Sequence, residues 1–241
     1  MVEIFVAGRA STGFAPVIGV LRARRWLPVT VGYVLLLIGV TVVLSAADPD
    51  VQERVIDHSS TNLHNLLNGH VGTLFSSAAV IGDTDGALSI VPLFACLLAL
   101  AELRFGALHT MRVFLAGHIG ATLVVALGLW VAVTAQWLPE SIGRAEDVGI
   151  SYGAVALFGS LVAVVPPRFQ TAWATAWLLV AMEGVLEGRT FTNCGHLVAY
   201  GIGVALGVAM IARTPVLRRP TWLELGLLAC AGLLASTFLS A

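Results

Sequence analysis

The sequence predicts an all-α protein that crosses a membrane several times, and its composition is the first reason. Apolar residues fill 58% of the 241 positions and charged residues only 11%, with a mean hydropathy of +0.91. Soluble domains carry about 25% charged residues. A hydrocarbon core about 30 Å thick needs roughly 20 apolar residues per helix, so seven helices would take about 140 residues. The apolar share of the chain is large enough for seven.

Other totals exclude several classes of function. The net charge is −1 and the 13 basic residues, all Arg, are too few to follow a phosphate backbone, so we expect no nucleic-acid partner. Cys96, Cys194 and Cys230 stand alone without a CxxC pair, which indicates neither a disulfide framework nor a zinc site. The first hydrophobic run has no preceding cleavage signal and is expected to be a retained membrane anchor.

Charged residues divide the chain into uncharged tracts, which set the predicted spans. We expect no second domain or internal repeat, so residues 1–241 form one membrane domain, with 1–27 cytoplasmic. Trp26, Trp137 and Trp222 lie near span ends, as in an aromatic belt at the membrane surface. In chain order, the predicted spans are 28–47, 86–102, 110–136, 149–165, 170–187, 193–212 and 221–240.

One uncharged tract, 58–82, is not predicted to span the membrane. Twelve of its 25 residues are His, Asn, Ser or Thr, which would be costly in lipid. Its apolar residues, from Leu63 to Ala78, recur at helical spacing, and His64, Asn65 and Asn68 fall on the other side. The pattern predicts an amphipathic helix lying on the membrane surface within a first outer loop, 48–85.

The arginines test this count of spans through the positive-inside rule. With a cytoplasmic N-terminus, ten arginines fall inside and three outside, whereas counting 58–82 as a span would move most of the later ones outside. We therefore predict an integral multi-pass protein, expected in the plasma membrane, with its N-terminus cytoplasmic and its C-terminus outside. The inner set is Arg9, Arg22, Arg24, Arg25, Arg104, Arg112, Arg168, Arg213, Arg218 and Arg219; the outer set is Arg54, Arg144 and Arg189.

Two polar residues near the outer ends of spans could carry chemistry. Ser151 opens the fourth span within Gly149-Ile150-Ser151-Tyr152-Gly153, and His196 lies near the start of the sixth. This topology places both just below the outer surface, where a histidine could take the proton that activates a serine. The alternatives are a small packing residue for Ser151 and a hydrogen-bonded interhelical histidine for His196. Flanking glycines would let the helices approach closely.

These motifs resemble those of the rhomboid intramembrane serine proteases, over about residues 76–212. Gly149-Ile150-Ser151, with Gly159 after it, matches the family's serine motif, and His196 with Gly203 matches its histidine motif. Glu102-Leu103-Arg104-Phe105-Gly106 matches the turn after the family's second helix. The resemblance implies a six-helix core with an added seventh helix, a Ser151–His196 dyad that cleaves transmembrane segments of membrane proteins, and no metal or organic cofactor.

Two departures from the family pattern keep a second interpretation open. Gly86 and Ile90 stand where rhomboid proteases carry a His-x-x-x-Asn pair that helps to bind the oxyanion, and Val155 replaces the aromatic residue that stacks on the histidine. The alternative function is a catalytically inactive rhomboid-like protein that binds transmembrane helices as a chaperone or scaffold; a small-solute transporter is less favoured. Further candidates for shaping the site are Gly149, Tyr152, Gly153 and the His-x-x-x-Asn pair of the outer loop, His64 and Asn68.

The remaining polar residues are expected to be structural. His118 has no predicted partner, and Glu102 with Arg104 and Arg112 is expected to form an ion pair and turn at the cytoplasmic edge. Tyr152, although next to Ser151, is expected to point elsewhere on its helix. Glu183 and Glu187 are expected at the membrane interface. Only Asp147 and Asn193 could orient His196.

Overall fold

The computed structural model describes residues 26–82, 84–213 and 220–239, and it confirms the prediction of an all-α polytopic membrane protein. These residues contain no β-strand. Most of the predicted cytoplasmic N-terminus lies outside the described residues, as do Arg218 and Arg219. The helices are α1 Pro28–Ser45, α2 Pro49–Ser59, α3 Leu63–Leu67, α4 Thr73–Ser76, α5 Thr84–Phe105, α6 Ala107–Thr134, α7 Ser151–Ser160, α8 Pro167–Gly188, α9 Phe191–Arg213 and α10 Trp222–Leu239.

A long helix lies at each of the seven predicted spans except the fourth, where the helix is short. Five helices (α1, α5 from Gly86, α6, α9 and α10) are long and apolar enough to cross a membrane. Helix α8 has 22 residues but includes Arg168, Glu183 and Glu187. Helix α7, continued by a 3-10 turn to Ala163, forms one apolar segment, Ser151–Ala163. At 1.5 Å per residue it is about 20 Å long, so it falls short of a hydrocarbon core of about 30 Å.

Local sequence sets where several of these helices begin and end. Pro28, Pro49 and Pro167 stand at the first positions of α1, α2 and α8, where proline has the required φ and its missing N–H costs nothing. Helices α5 and α6 are separated by Gly106 alone, whose φ of +82° suits glycine and reverses the chain. The glycine of the Glu-x-Arg-x-Gly motif therefore makes the predicted turn.

The short helix α7 is the centre of the bundle. Every residue from Tyr152 to Ser160 is buried, and the helix packs mainly against α6 and α9. Glycines make this packing possible, because a Cβ on Gly203 would overlap the carbonyl oxygen of Ala156 and one on Gly117 would overlap the Ala156 side chain. Helix α10 packs chiefly against α5 and also contacts α7, α8 and α9.

The prediction of one continuous helix over 58–82 is wrong. The tract contains the end of α2, the short helices α3 and α4, and a 3-10 turn at Ser77–Ala79, with a break after Asn68 where Gly69 has a φ of +80°. Burial in this tract does not follow polarity: Leu67, Val71 and Phe75 are exposed, as are His64 and Asn68, whereas six polar residues are buried. The buried polar residues are Ser60, Thr61, Asn62, Asn65, Thr73 and Ser77.

Candidate active site

Ser151 is the first residue of α7 and lies at the recessed end of this short helix. The preceding Gly149 has a φ of +124°, a conformation that disfavours any side chain. Its N–H donates to the carbonyl oxygen of Ser77 at 2.9 Å. The glycine two residues before the serine is therefore required by the backbone, which explains this part of the Gly-Ile-Ser motif structurally.

The loop between α1 and α5, predicted to be the first outer loop, holds the segment that leads into Ser151. The N–H of Asp147 donates to the Ser60 hydroxyl at 2.8 Å, and both the N–H and the hydroxyl of Thr61 donate to the Asp147 carbonyl oxygen at 3.0 Å. With the Gly149–Ser77 bond, these contacts join residues 60–77 to residues 147–149. This role of the loop was not predicted, although the polar residues of the 58–82 tract were the available signal in the sequence.

His196 lies on α9, is 5% exposed, and contacts two aromatic rings. Tyr152 packs edge-on against it, with ring centroids 5.4 Å apart, and Phe238 of α10 stacks on it at 6.0 Å. Tyr152 thus packs beside the histidine instead of pointing elsewhere, and a Cβ on Gly195 would overlap the Tyr152 ring. Neither ring nitrogen of His196 makes a hydrogen bond of normal geometry among the described residues, although the backbone of Phe238 lies close to the ring. Buried polar atoms are rarely left in this state, which makes His196 a candidate for chemistry.

Ser151 and His196 line one cavity of about 520 Å³. Its apolar wall includes Ile90 of α5 and Phe238 of α10, and Gly149 borders it beside the serine. Phe238 was not foreseen, because the sequence does not show which neighbours the seventh helix takes. The other lining residues are Ile81, Gly82, Glu146, Val148, Ile150 and Thr192.

The structure does not bring the other proposed site residues into this cavity. Asn68 donates its side-chain amide to the carbonyl oxygen of His64, and both residues are exposed on the first outer loop. Gly153 instead faces α6, where an added Cβ would overlap the Phe114 ring. Gly86 does not line the cavity either. Of the two residues that stand where rhomboid proteases carry their His-x-x-x-Asn pair, only Ile90 borders the cavity.

Neither of the two residues considered for orienting His196 forms a hydrogen bond with its ring. The Asn193 side chain donates to the Gly184 carbonyl oxygen at 2.6 Å and accepts from the Thr190 hydroxyl, so it joins α9 to α8. Asp147 lies before α7, where burial raises the pKa of its carboxyl group to about 6; the hydroxyls of Tyr152 and Thr61 partly oppose this shift. The backbone hydrogen bonds of Asp147 run to Ser60 and Thr61, and none of them reaches His196.

His118 and Glu102 form hydrogen bonds outside the cavity that Ser151 and His196 line. The Nε2 atom of His118 lies 3.0 Å from the Ser77 hydroxyl, in a buried contact between α6 and the first outer loop. Glu102 forms no ion pair with Arg104 or Arg112; its carboxylate accepts hydrogen bonds at the start of α1. Arg104 lies 3.7 Å from Glu224 of α10 instead.

Comparison with known proteins identifies the family. A family model of rhomboid-like proteins matches residues 22–215, most of the chain. This chain belongs to the rhomboid-like family. No curated protein and no solved structure matches it. As a rhomboid-like protein with several apolar helices, it is an integral multi-pass membrane protein whose surroundings are the lipid bilayer. Among the described residues, no cluster of three His, Cys, Asp or Glu side chains could hold a metal ion.

Proposed function

We propose that this rhomboid-like protein is an intramembrane serine protease that uses Ser151 as nucleophile and His196 as general base. One observation carries the proposal: Ser151 and a buried histidine with both nitrogens unpaired line the same cavity. Catalytic hydrogen bonds are often long in the absence of substrate, so a dyad can close when the substrate arrives. His118 differs in that its Nε2 atom lies 3.0 Å from the Ser77 hydroxyl.

The chemistry would be acyl transfer to the serine and then to water. Ser151 Oγ attacks the scissile carbonyl carbon while His196 takes the hydroxyl proton, and His196 then gives that proton to the leaving amine. Water, activated by the same imidazole, hydrolyses the ester and restores Ser151. The first backbone bond of α7 runs from Ala154 N to Ile150 O, so the earlier amides of this helix lie before its hydrogen-bonded turns. We infer that the Ser151 N–H is one oxyanion donor.

The position of the cavity indicates the class of substrate. It lies at the recessed end of a short central helix, and Ile81, Ile90 and Phe238 give it apolar walls. An extended stretch of a transmembrane segment fits such walls better than a soluble polar peptide does. Following the arginine distribution, we place this end at the outer leaflet of the plasma membrane, with the N-terminus cytoplasmic and the C-terminus outside.

Covalent labelling tests the proposal directly. A fluorophosphonate probe should label the full-length protein in detergent, and Ser151→Ala should abolish labelling because the probe forms its bond with the nucleophilic oxygen. Ser160→Ala is the matched control: it lies on the same helix, away from the cavity, and its hydroxyl donates to the Leu157 carbonyl oxygen. Labelling that survives Ser151→Ala would reject the assignment of the nucleophile.

The apolar cavity wall also supports a second candidate, a catalytically inactive rhomboid-like protein that binds transmembrane helices as a chaperone or scaffold. Ile90 borders the cavity without any hydrogen-bonding group, and removing one oxyanion donor typically costs about 10²–10³ in turnover. In this case the folded protein would not react with fluorophosphonate. It would capture single-span proteins equally well as wild type, Ser151→Ala and His196→Ala, whereas a protease would accumulate uncleaved substrate on the variants.

A further inference from the structure

A second cavity, of about 460 Å³, lies at the opposite end of the bundle from Ser151. It is formed by the end of α5, the start of α6, the turn after α7 and the end of α9. Ala163 on its wall is about 18 Å along the α7 axis from Ser151, so the two cavities are separate. The rhomboid-like dyad proposed above makes no use of it.

The polar lining of this cavity is cationic. Arg104, Arg112 and Arg213 contribute three guanidinium groups from three helices, and His109 adds an imidazole. Among the described residues, no aspartate or glutamate lines the cavity. Arg104 is partly neutralised by Glu224, 3.7 Å away, whereas Arg112 and Arg213 are exposed and form no ion pair among the described residues. The cavity therefore carries a net positive charge that an anion would compensate.

The rest of the lining is apolar and faces the lipid side of the bundle. Ala116, Leu206 and Met210 continue the wall from the arginines toward the middle of the membrane. On the same two helices, outside the cavity lining, Leu108 is 60% and Val208 52% exposed, so both helices also present apolar side chains on the surface of the bundle. A soluble anion would use only the cationic half of such a cavity, whereas a phospholipid would fill both halves.

We propose that this cavity binds the phosphate headgroup of an anionic phospholipid, with the lipid's acyl chains lying against α6 and α9. Guanidinium groups suit this ligand because they donate two parallel hydrogen bonds to phosphate oxygens. Basic pockets between transmembrane helices on the cytoplasmic side bind anionic headgroups in this way. The bound lipid would join α5, α6 and α9 where their ends meet.

Native mass spectrometry of the full-length protein, titrated with palmitoyl-oleoyl phosphatidylglycerol or phosphatidylcholine, tests the proposal. We expect wild type to retain phosphatidylglycerol preferentially. Each of Arg112→Gln and Arg213→Gln should weaken phosphatidylglycerol binding about fivefold and the double variant about 30-fold, whereas the double lysine variant should keep most of it. The matched control is Arg168→Gln, because Arg168 is exposed, packs on Phe169 and lies outside the cavity.

Three outcomes would overturn the proposal. Wild type could retain the two lipids equally, or Arg168→Gln could lose as much phosphatidylglycerol binding as the double variant. The third outcome is displacement of phosphatidylglycerol by millimolar inorganic phosphate. The last would identify a soluble anion as the ligand. Ala116→Phe provides a variant of unchanged charge that fills the cavity, and it should lower retention if the lipid occupies it. Elution volume and melting temperature, compared with wild type, show that each variant is folded.

Discussion

Two buried groups at opposite ends of the helix bundle, Glu102 and His196, differ in how they are hydrogen-bonded. At the arginine-rich end, the Glu102 carboxylate accepts from the N–H of Val29 at 3.1 Å and from the N–H and hydroxyl of Thr30, both at 2.8 Å. It caps α1, whose own N-cap residue, Leu27, provides no side-chain bond. At the serine end, His196 is equally buried, yet neither of its nitrogens is bonded within the described residues.

This difference separates groups that hold the fold together from a group that is free to react. A buried carboxylate with satisfied oxygens stabilises the helices that it joins, and removing it leaves orphaned donors. A buried imidazole without hydrogen-bond partners adds no hydrogen bonds that stabilise the fold, but its nitrogens can exchange a proton with a bound substrate. We therefore expect substitution of Glu102 to change stability and substitution of His196 to change activity.

The largest expected effect is a difference in labelling rate between variants of the two buried histidines, His196 and His118. His196→Ala should slow fluorophosphonate labelling of Ser151 on the order of 10⁴-fold or more, because the base that activates the hydroxyl is lost, with little change in melting temperature. His118→Ala should lower the melting temperature, since it removes the contact with Ser77, and should keep most of the labelling rate. Equal losses of labelling in the two variants would contradict the distinction.

At the arginine-rich end, Glu102→Ala should lower the free energy of unfolding by about 3 kcal/mol, because three buried donors of α1 lose a charged acceptor. The measurement is SDS-induced unfolding of the full-length protein in mixed micelles. Glu187→Ala, at an exposed position on α8, is the control and should stay within about 0.5 kcal/mol of wild type. If Glu102→Ala behaved like the control, Glu102 would not be stabilising the fold.

Packing between the two helices that carry Ser151 and His196 can be tested with a pair of glycines. Gly203→Ala should cost about 2 kcal/mol, because its Cβ would overlap the Ala156 backbone and push α9 away from α7. It should also slow labelling, since the dyad depends on that spacing. Gly201 lies on the same helix with open space around it, so Gly201→Ala should leave both quantities unchanged or raise stability slightly. A loss in Gly201→Ala as large as in Gly203→Ala would contradict this packing argument.

The smallest effect concerns Asp147. Burial raises the pKa of this carboxyl from 3.8 to about 6, so the folded protein binds a proton more tightly than the unfolded chain does. Stability should therefore fall as the pH rises from about 4 to about 6 and stay lower above that range. Asp147→Asn should remove this fall and raise the stability at pH 8 by an amount on the order of 1 kcal/mol. Melting temperatures of both proteins between pH 4 and pH 8 would show whether the slope depends on Asp147.

The positions of the long helices could be predicted because lipid imposes the same rule on every helix that crosses it. Long runs without charge can be read locally, and the helices lie where those runs are. The 58–82 tract could not be predicted in this way. Its buried polar residues bond to the Asp147 segment, which is distant in sequence, and these contacts together with the turn at Gly69 replace a continuous helix.

The candidate site could likewise be predicted from the sequence only in part. Counting spans placed Ser151 and His196 at one end of the bundle, which requires only topology. The aromatic neighbours of His196 required the fold: Tyr152 reaches it because Gly195 leaves room, and Phe238 reaches it because α10 packs between α5 and α8. Nothing local in the sequence of α10 indicates which helices it will contact.

By itself the sequence determined the class of the protein, the positions of its helices and the serine and histidine motifs, because hydrophobicity and motif spacing are local properties. Only the tertiary structure decided that the two residues share one cavity, that the outer loop holds the serine segment, and that Glu102 caps α1 instead of pairing with an arginine. These results depend on which helices approach closely. Side-chain packing and hydrogen bonds between residues far apart in the chain determine which helices approach each other closely.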